Sequence, residues 1–379
     1  MKIREIKITP LLLPYAQPYY WSQGVTQGAE VLLIEICGEN GSVGFGECLA
    51  TPTAEGVQAF VEEAAKCLIG QSVFDREPLM AVCYQSLFQF RGTGSAPRFG
   101  GQVLAGLEMA LWDLQGKALD RPVYELLGGA QRQHVEYFGF IQGSEPKDLA
   151  RDAVALVQQG HRTIYCKVGR GDELDMAIVR HVREAIGPDI CLRLDPNEAW
   201  NPPDAIRMIE SLKAFNPEMI EQPCDHRSLS ALKEIKDASS VAISADQSVF
   251  NAVDVEAVIQ MGAADLIVLG LHETGGIGPL LEAAAAARKG GLNICLHGLY
   301  ETGITTCAAH QAGLVIPNLD DANQYMNHLL TSDVIASPDL SLKDAKLGLF
   351  DAPGLGFEID ADAVVQAAAR HIEQAAALR

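Results

Sequence analysis

Apolar and polar positions follow one rhythm over the first third of the chain and another over the rest. Residues 1–6, Met-Lys-Ile-Arg-Glu-Ile, alternate with period two, residues 30–36 form a nearly continuous apolar run, and Glu39-Asn40-Gly41 marks a turn. Helical periodicity follows over 55–119, clearest over 105–119, so this part predicts strands and then helices, an α+β pattern. From about Val135 short apolar runs alternate with amphipathic segments. Strands are predicted at 135–140, 163–168, 190–194, 219–220, 241–244, 266–269 and 293–296, with helices such as 149–158, 174–185 and 203–215 between them. Asp195, Glu221 and Asp246 close successive strands at spacings of 26 and 25 residues. A strand–helix unit repeating at that period predicts a parallel α/β barrel of the TIM type. An open doubly wound sheet usually announces a Gly-rich phosphate turn after its first strand, and none is present. The expected organisation is a capping domain over 1–128, a barrel over 129–350, and a segment over 351–379 whose helix returns to the N-terminal region.

Composition narrows the class of function. The 379 residues include 29 Lys+Arg against 49 Asp+Glu, a net charge of −20. Nucleic acid and anionic membranes both select a basic face, so neither is an expected partner, and an anionic substrate would need a local cation. No apolar run reaches the roughly 18 residues of a membrane-spanning helix, and the N-terminus lacks the apolar stretch of a signal peptide. Nine cysteines without CxxC spacing indicate neither a disulfide framework nor a thiolate zinc site. A soluble, reduced, cytoplasmic protein is expected.

In a parallel barrel the C-terminal ends of the strands converge on one mouth, and those positions hold Lys167, Asp195, Glu221 and Asp246. Three carboxylates aimed at one spot repel unless a cation sits among them. Hard oxygen ligands favour Mg²⁺, with Mn²⁺ as the alternative. Such an ion leaves positions open for a substrate carboxylate and stabilises the dianion formed when a proton leaves the neighbouring carbon. Lys167 beside it would have its ammonium form disfavoured, which suits a base acting near neutral pH. Any one of these acids could simply cap the helix after its strand; three in register behind a lysine argue for a site.

The order Lys, Asp, Glu, Asp on successive strands resembles the enolase superfamily, in its mandelate racemase/muconate lactonizing enzyme family, and lies closer to the lactonizing branch. Residues 105–114 and 122–129 resemble the end of that family's capping domain. Asp195-Pro196-Asn197, Glu221-Gln222-Pro223, Ala245-Asp246-Gln247-Ser248 and Gly275-Gly276-Ile277 resemble its barrel, and Pro353-Gly354-Leu355-Gly356 its closing segment. The resemblance implies a (β/α)7β barrel under an α+β cap and one Mg²⁺ held by Asp195, Glu221 and Asp246, with Asn197 on the substrate side. It further implies a small carboxylate substrate whose α-proton Lys167 removes, and a homo-oligomer is expected.

The departures matter as much. The family's Lys-x-Lys on strand two reads Tyr165-Cys166-Lys167 here, so a tyrosine replaces the supporting lysine. Strand six carries Gly270, where the lactonizing branch has a second lysine and the racemase branch an aspartate. His297 takes the racemase position after strand seven, without that aspartate partner. The second acid/base is therefore either His297 or His272, which shares a face with Gly270 if strand six continues. Glu301 matches a family acid near the start of the following helix. Asn323 and Tyr325 fall near the strand-eight Asp-x-Asp of members that handle amino acids. Substrate choice is expected from a mobile loop over 14–28, with Tyr20 and Trp21 either facing the substrate or packing under the loop. With the second lysine gone, the favoured activity is a lyase reaction, dehydration of a small hydroxy acid or a hydroxylated amino or imino acid. Racemisation, epimerisation or cycloisomerisation, with Lys167 and His297 as the acid/base pair, is the alternative, and a metal-binding relative without catalysis is the remote one.

Overall fold

The computed structural model describes residues 1–89 and 97–377. Strands β1 (Ile3–Trp21), β2 (Gly24–Gly38) and β3 (Val43–Leu49) form an antiparallel sheet in that order. Leu32, Ile34 and Ile36 share one face of β2 and pack against helices α1 (Ala54–Ala65) and α3 (Pro97–Leu119), with α2 (Arg76–Tyr84) beside them. Val31 and Leu33 point the other way, into the barrel's core. Burial on both faces accounts for the unbroken apolar run. Residues 14–28, expected as a loop, are instead the end of the β1–β2 hairpin: beyond a register shift, Tyr19 pairs with Thr26, Tyr20 with Val25 and Trp21 with Gly24.

After α4 (Val123–Leu126), the strand expected over 135–140 is broken into β4 (His134–Glu136) and β5 (Gly139–Ile141). There follow α5 (Pro146–Gln158), β6 (Thr163–Lys167), α6 (Asp172–Ile186), β7 (Cys191–Asp195), α7 (Pro202–Leu212) and β8 (Met219–Glu221). The run continues with α8 (Leu229–Ala238), β9 (Ala242–Ala245), α9 (Ala252–Met261), β10 (Leu266–Gly270), the single turn α10 (Leu271–Thr274), α11 (Ile277–Lys289), β11 (Asn293–His297) and α12 (Gly303–Val315). Strands β5 to β11 are parallel neighbours in chain order. Residues 319–324 close the curl: Ile294 bridges Leu319 and Tyr137 bridges Asn323, while the Gln324 amide donates to Leu296 O at 2.8 Å. Arg193 spans the interior from β7 to this closing segment, donating to Ala322 O at 3.0 Å and pairing with Asp320 at 3.0 Å. Among the described residues no helix is long and apolar enough to cross a membrane.

The chain ends with β12 (Ile335–Ser337), β13 (Lys346–Gly348), β14 (Glu358–Ile359) and α13 (Ala361–Ala377), which returns to the capping sheet, where Arg370 Nε donates to Leu12 O at 3.1 Å. The joint between cap and tail is Asp113 of α3, fully buried. It accepts from Phe45 N of β3 and Leu355 N of the tail, each at 2.9 Å, and from Lys117 Nζ at 2.6 Å. Gly354 lies so close, at φ +75°, that a Cβ there would meet Asp113 Oδ1 at 2.2 Å. Asp113→Ala removes three bonds and leaves two buried amides unsatisfied. It should cost about 3–5 kcal/mol of stability by urea denaturation; a loss under about 1 kcal/mol would contradict this role.

Candidate active site

Lys167, Asp195 and Glu221 end β6, β7 and β8, and Asp246 directly follows β9, so consecutive strands deliver all four to the barrel mouth. None is more than 8% exposed. The Lys167 ammonium donates to Asp195 Oδ2 and, at 2.8 Å, to Asn197 Oδ1. The Tyr165 hydroxyl donates to Asp195 Oδ2 and lies 2.8 Å from Glu221 Oε1. The phenol thus sits between the two acids. Burial, then Asp195 and Asp246, hold the Glu221 carboxyl well above its usual range. Asp246 is pushed up to about 7 by burial, against the opposing effect of His297. Burial alone would depress Lys167, but Asp195, Tyr19 and Glu221 outweigh it and raise its pKa. The lysine is thus the counter-ion of the acids.

The donor set fits a divalent cation. Asp195, Glu221 and Asp246 offer hard oxygens only, and Asp246 Oδ1 is buried without a partner. A different trio, Asp246, Glu273 and His297, has ligand atoms within 4.8 Å of one another. Its closeness is explained by a hydrogen bond between His297 Nε2 and Glu273 Oε2 at 2.7 Å.

Glu273 is the carboxylate partner of His297 that the sequence seemed to lack. It comes from α10, three residues past Gly270, and its signal was helical rather than strand spacing. The two carboxylates Asp246 and Glu273 outweigh the effect of burial on His297 and hold its pKa up to about 10. With Nε2 engaged, Nδ1 has no partner among the described residues, and the ring forms part of the cavity wall. A Cβ at Gly270 would meet His297 Nε2 at 2.3 Å and Glu273 Oε2 at 3.1 Å. The missing strand-six side chain is therefore the space that this pair occupies.

A cavity of about 70 Å³ lies over these groups, walled by Lys167, Asn197, Asp246 and His297 together with Tyr19, Trp21, Gln247, Tyr300, Gln324 and Met326. The structure places several of the expected substrate-side residues away from this wall. Tyr20 is off this wall, because strand alternation presents Tyr19 and Trp21 instead. His272 is not on a continuing strand: the chain turns into α10, and the fully buried ring meets Thr305 Oγ1 at 3.1 Å, with burial pushing its pKa down to about 3. Tyr325 packs on Tyr137, ring centroids 5.1 Å apart, and donates its hydroxyl to Leu340 O, away from the cavity. Glu301 sits behind Gly298 rather than on the wall, and burial, then Glu47, push it up to about 8. Asn323 staples strands, accepting from Leu296 N at 2.8 Å and donating to Glu136 O at 3.0 Å. Tyr19, Gln247 and Gln324 had no signal in the sequence beyond their nearness to marked residues.

Residues 3–128 match the family described as mandelate racemase / muconate lactonizing enzyme, N-terminal domain, and residues 148–363 match enolase C-terminal domain-like. The chain is similar to L-Ala-D/L-Glu epimerase of Clostridium acetobutylicum, with 31% identity over 94% of this chain and 99% of the relative. Muconate cycloisomerase 1 of Acinetobacter baylyi is 27% identical over 93% of this chain and 96% of its own. Among solved structures, the dipeptide epimerase of Enterococcus faecalis complexed with Mg and the dipeptide L-Leu-L-Tyr superposes with a TM-score of 0.86 at 30% identity, covering 94% of this chain and 100% of that one.

Gly270→Ala tests the space occupied by His297. A crystal structure of the variant should show the His297–Glu273 contact broken, and α-proton exchange should fall at least about tenfold, about 1.4 kcal/mol in the barrier. An unmoved His297 would contradict the packing argument.

Proposed function

Because the chain belongs to the mandelate racemase/muconate lactonizing enzyme family of the enolase superfamily, we propose that it is an Mg²⁺-dependent racemase or epimerase. The observation that carries this reading is the His297–Glu273 pair on the same cavity as Lys167. Dehydration was favoured because the second lysine is gone and His297 had no carboxylate partner in view. That premise falls with Glu273 in place, and the relatives quoted above are named as epimerases and a cycloisomerase.

Asp195, Glu221 and Asp246 are the residues that would hold the ion. Mg²⁺ among them would supply the charge compensation that Lys167 and Tyr165 supply here, and a seat for the substrate carboxylate. Lys167, on the second barrel strand, takes the α-proton from one face. His297, on the seventh, delivers a proton to the other through Nδ1, while Nε2–H stays on Glu273, which fixes the ring and stabilises the imidazolium. The reverse reaction exchanges the roles. Tyr165 remains a neutral phenol beside Asp195, because burial and then that carboxylate raise its pKa well above the usual range.

The wall also speaks to the substrate. Asp246 is its one acid among the described residues, and Asn323 is held in strand closure. With Asp246 committed to the ion, a free α-ammonium group would find no further carboxylate on that wall among the described residues. Gln247, whose Oε1 is buried without a partner, suits an amide or hydroxyl donor. A carboxylate bearing an amide or hydroxyl on its α-carbon fits best.

The test uses 2-hydroxy acids and N-acetyl amino acids, each enantiomer separately, in D₂O with Mg²⁺. Wild type should wash deuterium into the α-position from both enantiomers. Lys167→Ala should abolish exchange from one enantiomer and His297→Asn from the other, each by at least about a hundredfold, the size expected of a general base. Exchange from a single enantiomer in the wild type, or a 2-keto product, would overturn the reading.

A further inference from the structure

Glu273 is held at both ends. Its Oε2 takes His297, and its Oε1, which accepts no well-aligned hydrogen bond, forms an ion pair with Nη2 of Arg98 at 2.8 Å. Arg98 comes from the capping domain, in the first turn of α3, whereas Glu273 and His297 come from the barrel. One turn further along α3, on the same side of the helix, Gly101 rests on the backbone of α10. A Cβ there would meet Glu273 O at 2.3 Å and His272 O at 3.1 Å. Gly275 approaches from the other side, its own added Cβ falling 3.3 Å from Gly101 Cα. The start of α3 is therefore seated on the single turn that carries Glu273. The Arg98 side chain is 41% exposed and also borders the cavity, while Glu273 is only 2% exposed.

From this geometry we infer that Arg98 is a positioning residue for the second face: the capping domain, through Arg98 and Glu273, orients the His297 ring. The inference rests on the two-face reading above. A carboxylate with one partner can rotate about its terminal torsion, which is broad and two-fold. With a guanidinium on the opposite oxygen, Glu273 has one arrangement that satisfies both neighbours, and the imidazole is aimed by it. The Arg98 contact thus completes the His297 face of the site, whereas the Lys167 ammonium is held by Asp195 and Asn197 of the barrel and does not touch this contact. A competing role, with Arg98 gripping a substrate anion directly, would raise KM for both enantiomers alike.

The test is face-resolved exchange with Arg98→Met and Arg98→Lys, using the first acid of the D₂O panel that wild type exchanges. Arg98→Met should lower kcat for exchange from the His297-facing enantiomer at least about tenfold and leave the Lys167-facing enantiomer within about twofold. Arg98→Lys should recover most of the loss. Equal loss on both faces, no loss, or a KM increase shared by both enantiomers overturns the assignment. The ¹⁵N spectrum of the His297 ring in the Mg²⁺-loaded protein reports the same contact without substrate. Its Nε2 resonance should shift in Arg98→Met and stay near wild type in Arg98→Lys. An unmoved Nε2 in Arg98→Met overturns the inference whatever the wild-type reaction proves to be, whereas wild-type exchange on one face alone counts against the two-face reading.

Discussion

Mutual repulsion among Asp195, Glu221 and Asp246 is the constraint around which the barrel mouth is arranged. At an effective dielectric constant of about 20, two like charges about 4 Å apart repel by about 4 kcal/mol. Even one such pair is a large part of the net stability of a typical domain, about 5–15 kcal/mol. The acids are nonetheless buried together, so something must offset them. Here it is the Lys167 ammonium, the Tyr165 hydroxyl and protons held by raised pKa values. A divalent cation among the acids would supply the same compensation.

The second face is governed by space rather than charge. Gly270 could be read from sequence as a loss, a missing lysine or aspartate. With its backbone at φ −97° the glycine is not there for conformational freedom. It is there because His297 and Glu273 fill the volume a side chain would take. In the proposed reading the second acid/base is on strand seven, and its carboxylate partner is on the turn after strand six. That turn is seated on the capping helix, so cap and barrel together make this face.

The barrel was legible because seven of its strands are short apolar runs closed by polar residues at a regular spacing. The chemistry on β6 to β9 was legible because it sits at those closures. His272 was misplaced because period-two reasoning was carried one residue beyond Gly270, where the chain turns helical. Glu273 was missed for the same reason. Tyr20 and Trp21 were assigned to a loop, where alternation carries no meaning; in a hairpin it selects Tyr19 and Trp21. Tyr325 was placed by alignment to a strand-eight pattern, but the closing segment ends at Gln324 and the tyrosine turns into the core beside Tyr137. Long-range contacts such as Arg98 to Glu273 leave no trace in local pattern.

A divalent ion bound among the three acids would displace the protons that burial and mutual repulsion favour there. Titration calorimetry of Mg²⁺ at pH 7, in buffers of different ionisation enthalpy, counts the protons exchanged on binding. Net proton release on binding is expected, shrinking as pH rises through the Asp246 pKa of about 7. Mg²⁺ binding with no proton release at pH 7, or no binding at all, would contradict it.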